Sequence, residues 1–245
     1  KRINVSLENM PFHDVLEIVT GMFGLEFVLN DENRSAIITI PSNLGIANPL
    51  EYFRGKIVNT FRKVQIKYPD NELVPDSHFK LGEFFYSMGL TILASQEFMV
   101  VAERYPNHVL AKDALVNIAK CYEDAKDFKK ARDIYNEFVE RYPRDDSLSN
   151  IYYAITETLY KEGKYENAIK IYKKILQMYP STDLTGEIRD HIITAYFKNK
   201  DYSNAFNELI ALKKNRTLNA WSVDKDFMVG ECLYQMEKYE DAFIV

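Results

Sequence analysis

Apolar positions along this chain come in short bursts at helical spacing, each burst broken by polar residues, and the bursts themselves recur. Between residues 148 and 180, Ile151, Ile155 and Leu159 stand four apart. A break falls at Gly163, and Ala168, Ile171, Tyr172, Ile175 and Leu176 then repeat at helical period. The pattern predicts a helix, a tight turn and a second helix. Each second helix runs into Tyr-Pro, at Tyr68-Pro69, Tyr105-Pro106, Tyr142-Pro143 and Tyr179-Pro180. Proline disfavours helical geometry in the residue before it, so the helix stops there. These pairs are 37 residues apart, and an alanine keeps the same step at Ala94, Ala131, Ala168, Ala205 and Ala242. Two independent columns with one spacing imply a repeat array, in which neighbours bury one another's apolar faces, rather than one globule around a single centre.

Further columns fit close helix packing. Small residues at Gly82, Ala119 and Gly230 leave room for a neighbouring helix, and the aromatics Phe128, Tyr165, Tyr202 and Tyr239 stand three residues before the alanine column. With Phe85, Tyr122, Leu159, Tyr196 and Leu233 and the four prolines, these residues closely resemble the tetratricopeptide repeat. The resemblance covers residues 49–245. It implies an all-α solenoid, a right-handed superhelix of antiparallel helix pairs, whose trade is protein–protein contact. The unit here is longer than the common form of about 34 residues. A longer unit ending in Tyr-Pro looks like the repeat proteins of bacterial envelopes, such as outer-membrane assembly lipoproteins and the periplasmic partner of the Tol-Pal system.

Residues 1–48 lack the period and predict a small α+β module. Ile3, Val5 and Leu7 alternate as a strand, and Phe12, Val15, Leu16, Val19, Met22 and Phe23 form a helical stripe after Pro11. Leu25 to Leu29 and Ala36 to Ile40 read as two further strands around a turn at residues 31–34. The stretch resembles the short N-terminal domain of secretins and signalling TonB-dependent receptors, through Ile3 to Leu7, Met10-Pro11-Phe12 and Gly24 to Val28. That likeness implies a module for protein contacts. An unrelated cap over the apolar end of the solenoid is the other reading. Either way the stripe needs a partner surface, and Phe53 and Phe61 are the nearest candidates.

Charge narrows the partners. The net charge is −5, with acids and bases interleaved along the predicted helices. No basic stripe marks a nucleic-acid surface. No apolar run approaches the roughly 20 residues that span a bilayer. The chain begins at Lys1 and stops early in a predicted second helix, which suggests a piece of a longer protein. Cys121 and Cys232 occupy the same place in two repeats three periods apart, beyond disulfide reach, and read as buried thiols.

Motifs for chemistry are missing. The sequence has no glycine-rich phosphate loop, no Gly-x-Ser-x-Gly elbow and no HExxH. His13, His78, His108 and His191 fall in different units without paired ligand spacing and read as solvated side chains. The expectation is therefore a non-enzyme without cofactor or metal.

The surface left for function is the inward face of each first helix. Positions 15, 11 and 8 residues before the alanine column line up there. They place Phe79, Tyr153 and Phe227 in an outer column, Glu83, Glu157 and Glu231 in a middle one, and Tyr86, Tyr160, Phe197 and Tyr234 in an inner one. Aromatic anchors beside carboxylates suit a protein or peptide segment with apolar and basic side chains. The alternative is that the inner aromatics pack against the neighbouring repeat. The leading expectation is a non-catalytic scaffold in the periplasm or envelope of a bacterium, joining parts of a secretion, pilus, flagellar-motor or outer-membrane machine. A cytoplasmic peptide-binding adaptor, or the recruiting arm of an enzyme whose catalytic domain lies elsewhere, are the alternatives.

Overall fold

A computed structural model of the chain describes residues 26–30, 35–39, 49–214 and 221–244. It divides into two compact units, residues 1–121 and 122–245. In the first, strands β1 (Glu26–Asn30) and β2 (Ser35–Thr39) pair antiparallel, Phe27 opposite Ile38 and Leu29 opposite Ala36. These are the two later predicted strands, each within one residue of its expected bounds. The first predicted strand and the helical stripe lie outside the described residues, and so does most of the stretch that carries the secretin-like resemblance.

Three helices follow, α1 (Pro49–Lys67), α2 (Val74–Ser87) and α3 (Thr91–Arg104), and α4 (Ala111–Asp124) runs on to the boundary between the units. Gly82 of α2 sits where a Cβ would come within 2.7 Å of the Phe98 ring. That contact explains the small-residue column here: a side chain would push α3 away. Phe79 completes the packing, its ring edge-on to Phe98 at 5.2 Å. One buried acid joins three helices. Glu97 of α3 is only 5% exposed and accepts from Arg62 of α1 at 2.5 Å and faces His78 of α2 at 2.7 Å, so its charge is paired rather than stranded.

The second unit continues with α5 (Phe128–Arg141), α6 (Leu148–Lys161), α7 (Tyr165–Met178), α8 (Thr185–Lys198), α9 (Tyr202–Lys214), α10 (Val223–Gln235) and α11 (Tyr239–Ile244). Ala131, Ala168 and Ala205 are fully buried, as is Ala94 in the first unit. The second helices end where the sequence says they should, at cap residues Tyr105, Tyr142 and Tyr179 before each proline. Arg132 ties α5 to α6 through Thr158 Oγ1 at 3.1 Å and Glu162 at 2.5 Å.

Every turn inside a helix pair has the same construction. Gly89, Lys126, Gly163, Lys200 and Glu237, one per period, have φ between 60° and 78°. At Gly163 the amide donates to Tyr160 O at 3.0 Å while that of Lys164 donates to Leu159 O at 2.9 Å. This paired closure satisfies the last carbonyls of the helix and requires left-handed backbone at its first residue. Both cysteines are free and buried, as expected, and burial raises the Cys232 thiol to about 11.

Candidate functional site

The expected face contains a built cluster in the second unit, centred on a residue the sequence reading set aside. His191 of α8 lies between two rings of α6, Tyr153 at 5.8 Å and Tyr160 at 5.3 Å, nearly parallel to both at 13° and 11°. Its Nδ1 faces Glu157 Oε1 at 2.6 Å. Tyr172 of α7 donates its hydroxyl to the same Glu157 oxygen and stands 3.2 Å from Nδ1. The Tyr153 hydroxyl donates to Glu187 at 2.8 Å, and that of Tyr160 donates to Thr194 at 3.1 Å. His191 is thus a half-buried joint between helices, not a solvated side chain. His78, paired with buried Glu97, corrects the same expectation in the first unit.

The electrostatics follow from these contacts. The hydrogen bond with Glu157, with its charge, raises the His191 pKa above its ordinary value. Burial alone would raise Glu157, but hydrogen bonds from His191 and Tyr172 and the charges of His191 and Lys161 hold it below the usual range. Burial, then acceptance by carboxylates, raises both Tyr153 and Tyr172, so both stay protonated donors. The arrangement holds an imidazole against a carboxylate between aromatic faces.

Of the residues expected on this face, Glu157, Tyr153 and Tyr160 are therefore committed to the cluster and half-buried. Phe79 is core, 5% exposed against Phe98, and is withdrawn as an anchor. The inner aromatics have an unforeseen partner in their own repeat. Tyr160, Phe197 and Tyr234 pack edge-on against Tyr165, Tyr202 and Tyr239 at 5.4, 5.5 and 5.3 Å. Tyr160 also meets the next repeat through His191. In the first unit Glu83 is exposed and accepts from Lys80 at 2.7 Å, with the partly exposed Tyr86 close by in sequence.

Phe227, Glu231 and Tyr234 come together in the last described repeat. With Val223, Tyr239 and Phe243 they line an open cleft of ≈670 Å³ between α10 and α11, Phe227 being 71% and Tyr234 56% exposed. These three stand two periods after Tyr153, Glu157 and Tyr160. Among the described residues no group of three or more His, Cys, Asp or Glu is placed to hold a metal ion, and no helix is long and apolar enough to cross a membrane.

Comparison with known proteins bears on the fold. The family described as "Tetratricopeptide repeat" matches residues 113–145, and that described as "Outer membrane lipoprotein" matches residues 145–219. No curated protein matches the chain. Among solved structures, BtubC (BKLC) from P. vanneervenii aligns over 78% of this chain and 84% of its own at 13% identity and a TM-score of 0.56. MamA from Desulfovibrio magneticus RS-1 aligns over 69% and 88% at 12% identity and 0.54. The nearly identical repeats of a putative Podospora anserina kinesin light chain align over 71% and 92% at 11% identity and 0.53. At such identities the likeness is one of fold. The repeat region of this chain has the fold of a tetratricopeptide-repeat solenoid, and it carries one aromatic and acidic constellation twice, at Tyr153, Glu157 and Tyr160 and again at Phe227, Glu231 and Tyr234.

Proposed function

We propose that this chain is a non-catalytic scaffold of a bacterial envelope assembly that captures a segment of a partner protein on the inward face of its first helices. The observation that carries the reading is the pair of equivalent constellations. Around Tyr153, Glu157 and Tyr160 the space is filled by His191, a planar imidazole hydrogen-bonded to the carboxylate. Phe227, Glu231 and Tyr234 recur at the same positions two periods on and line a cleft between α10 and α11. A segment offering apolar side chains and an Arg, His or Lys to Glu231 suits that space, since aromatic faces and a carboxylate favour a cation and exposed aromatics are effective anchors. The match of residues 145–219 to an outer-membrane lipoprotein family supports placing the assembly in the envelope.

The test is selection of displayed peptides on the full chain. Enriched peptides should carry basic and apolar residues, and Phe227→Ala with Tyr234→Ala should weaken their binding by about 2 kcal/mol or more while helical circular dichroism is kept. Peptides that bind the double variant equally well would remove this site. Separate fractionation of cells carrying the full-length gene reads the location, and recovery in the cytoplasm would overturn the envelope assignment.

A further inference from the structure

One turn in the solenoid breaks the polar rule of the others. Leu90, Ile92 and Leu93, at the α2–α3 turn, are 44%, 73% and 41% exposed. One period on, the same places hold Asp127, Lys129 and Lys130, and the next three periods continue with charged or polar residues, so none of the twelve equivalent positions (three in each of four repeats) is apolar. Leu90 has a local reason, because its amide closes the turn on Phe85 O at 2.9 Å and an apolar residue there often touches the last helical turn. Ile92 and Leu93 have none. Their exposure at a single repeat marks a surface built to be covered.

The fold indicates what reaches it. The 2.5 Å bond between Arg62 and Glu97 sets α1 alongside α3. Counting back about two turns from each brings Arg54 and Leu90 to one end of the pair, and Pro49 opens α1 at that same end. Residues 1–48 therefore join the solenoid next to the apolar turn. Their sequence contains Phe12, Val15, Leu16, Val19, Met22 and Phe23 at helical spacing. Of the surfaces expected to receive that stripe, Phe61 is buried.

We propose that the N-terminal segment, through its Phe12 to Phe23 stripe, docks on Leu90, Ile92 and Leu93 of the same chain and caps the first repeat. The cap replaces the polar turn that the later repeats use, and leaves the inward face of the first helices open.

A photo-crosslinking amino acid at position 92 of the full chain tests this directly. The expected product is an intramolecular link from position 92 to a peptide within residues 1–48. Placed at position 129 the same group should make no such link. Links from position 92 to a second copy, or no link at all, would overturn the proposal. A second measurement is limited proteolysis, whose rate follows the population of the open form when cleavage is slow. Ile92→Asp, and separately Val15→Asp, should each speed cleavage within residues 1–48 by about tenfold, with helical circular dichroism unchanged; Lys129→Asp should not. Unchanged cleavage in Ile92→Asp would equally refute the docking.

Discussion

His191 decides more of the local energetics than its lone position in the sequence suggests. Its imidazole joins α8 to α6 through Glu157 and two tyrosine rings, and Glu187, Asp190 and Lys161 complete the charges around it. Its pKa is raised above 6.5, so its stabilisation is complete below that value and is lost as pH rises through the raised one. Glu157 is lowered from 4.5, so its part is complete above 4.5 and is lost as pH falls through the lowered one. The pair contributes most between those two ordinary values. His191→Gln should therefore lose about 1–3 kcal/mol near pH 5.5, leaving Glu157 half-buried without its cation. The gap to the parent should close as pH rises past the histidine's pKa, in urea melts at about pH 5.5, 7 and 9. Parallel pH profiles for the two proteins would mean that His191 is neutral in the fold. The sequence offered little warning, because the partners of His191 come from two other helices, while its own equivalents in other repeats include Asn117 and Ala154.

Among the elements, the turn within each helix pair shows what is legible in a sequence and what is not. The break at Gly163 marks the turn plainly, since glycine reaches left-handed backbone without strain. Lys126, Lys200 and Glu237 hide the same geometry, at φ 60°, 60° and 61°, behind residues that give no such signal. The alanine column and the Tyr-Pro stops were readable because each answers a local steric demand, a close helix crossing or a blocked amide. The filled cluster was not, because it needs side chains from α6, α7 and α8 at once. The turns make a clean experiment. An added Cβ at Gly163 meets nothing within 4 Å, so Gly163→Ala isolates backbone strain and should cost about 1 kcal/mol. Lys200→Gly should relieve that strain and stabilise by about 0.5–1 kcal/mol. Thermal melts of both variants check the pair, and shifts of the same sign would show that the turn is not what limits them.

At the scale of the molecule, the substantial helix contacts within each unit are between neighbours in sequence, α1 with α2 and α2 with α3 in the first, and α5 with α6 through α10 with α11 in the second. Stability in such an array is close to a sum of repeat and nearest-neighbour terms, so damage should stay local. Ala168 is the place to inflict it. It is fully buried in the cluster with Ile169, Tyr172, Ile188 and Ile192, where a bulky ring cannot be accommodated without moving a helix. Ala168→Trp should overpack its repeat at about 1–3 kcal/mol or more. Hydrogen exchange followed by mass spectrometry on the full chain should then show faster exchange in α6, α7 and α8, by about tenfold or more. Residues 74–104 should keep parental protection. Uniform acceleration throughout the chain would instead identify one cooperative globule, and with it a fold whose repeats do not stand on their neighbours alone.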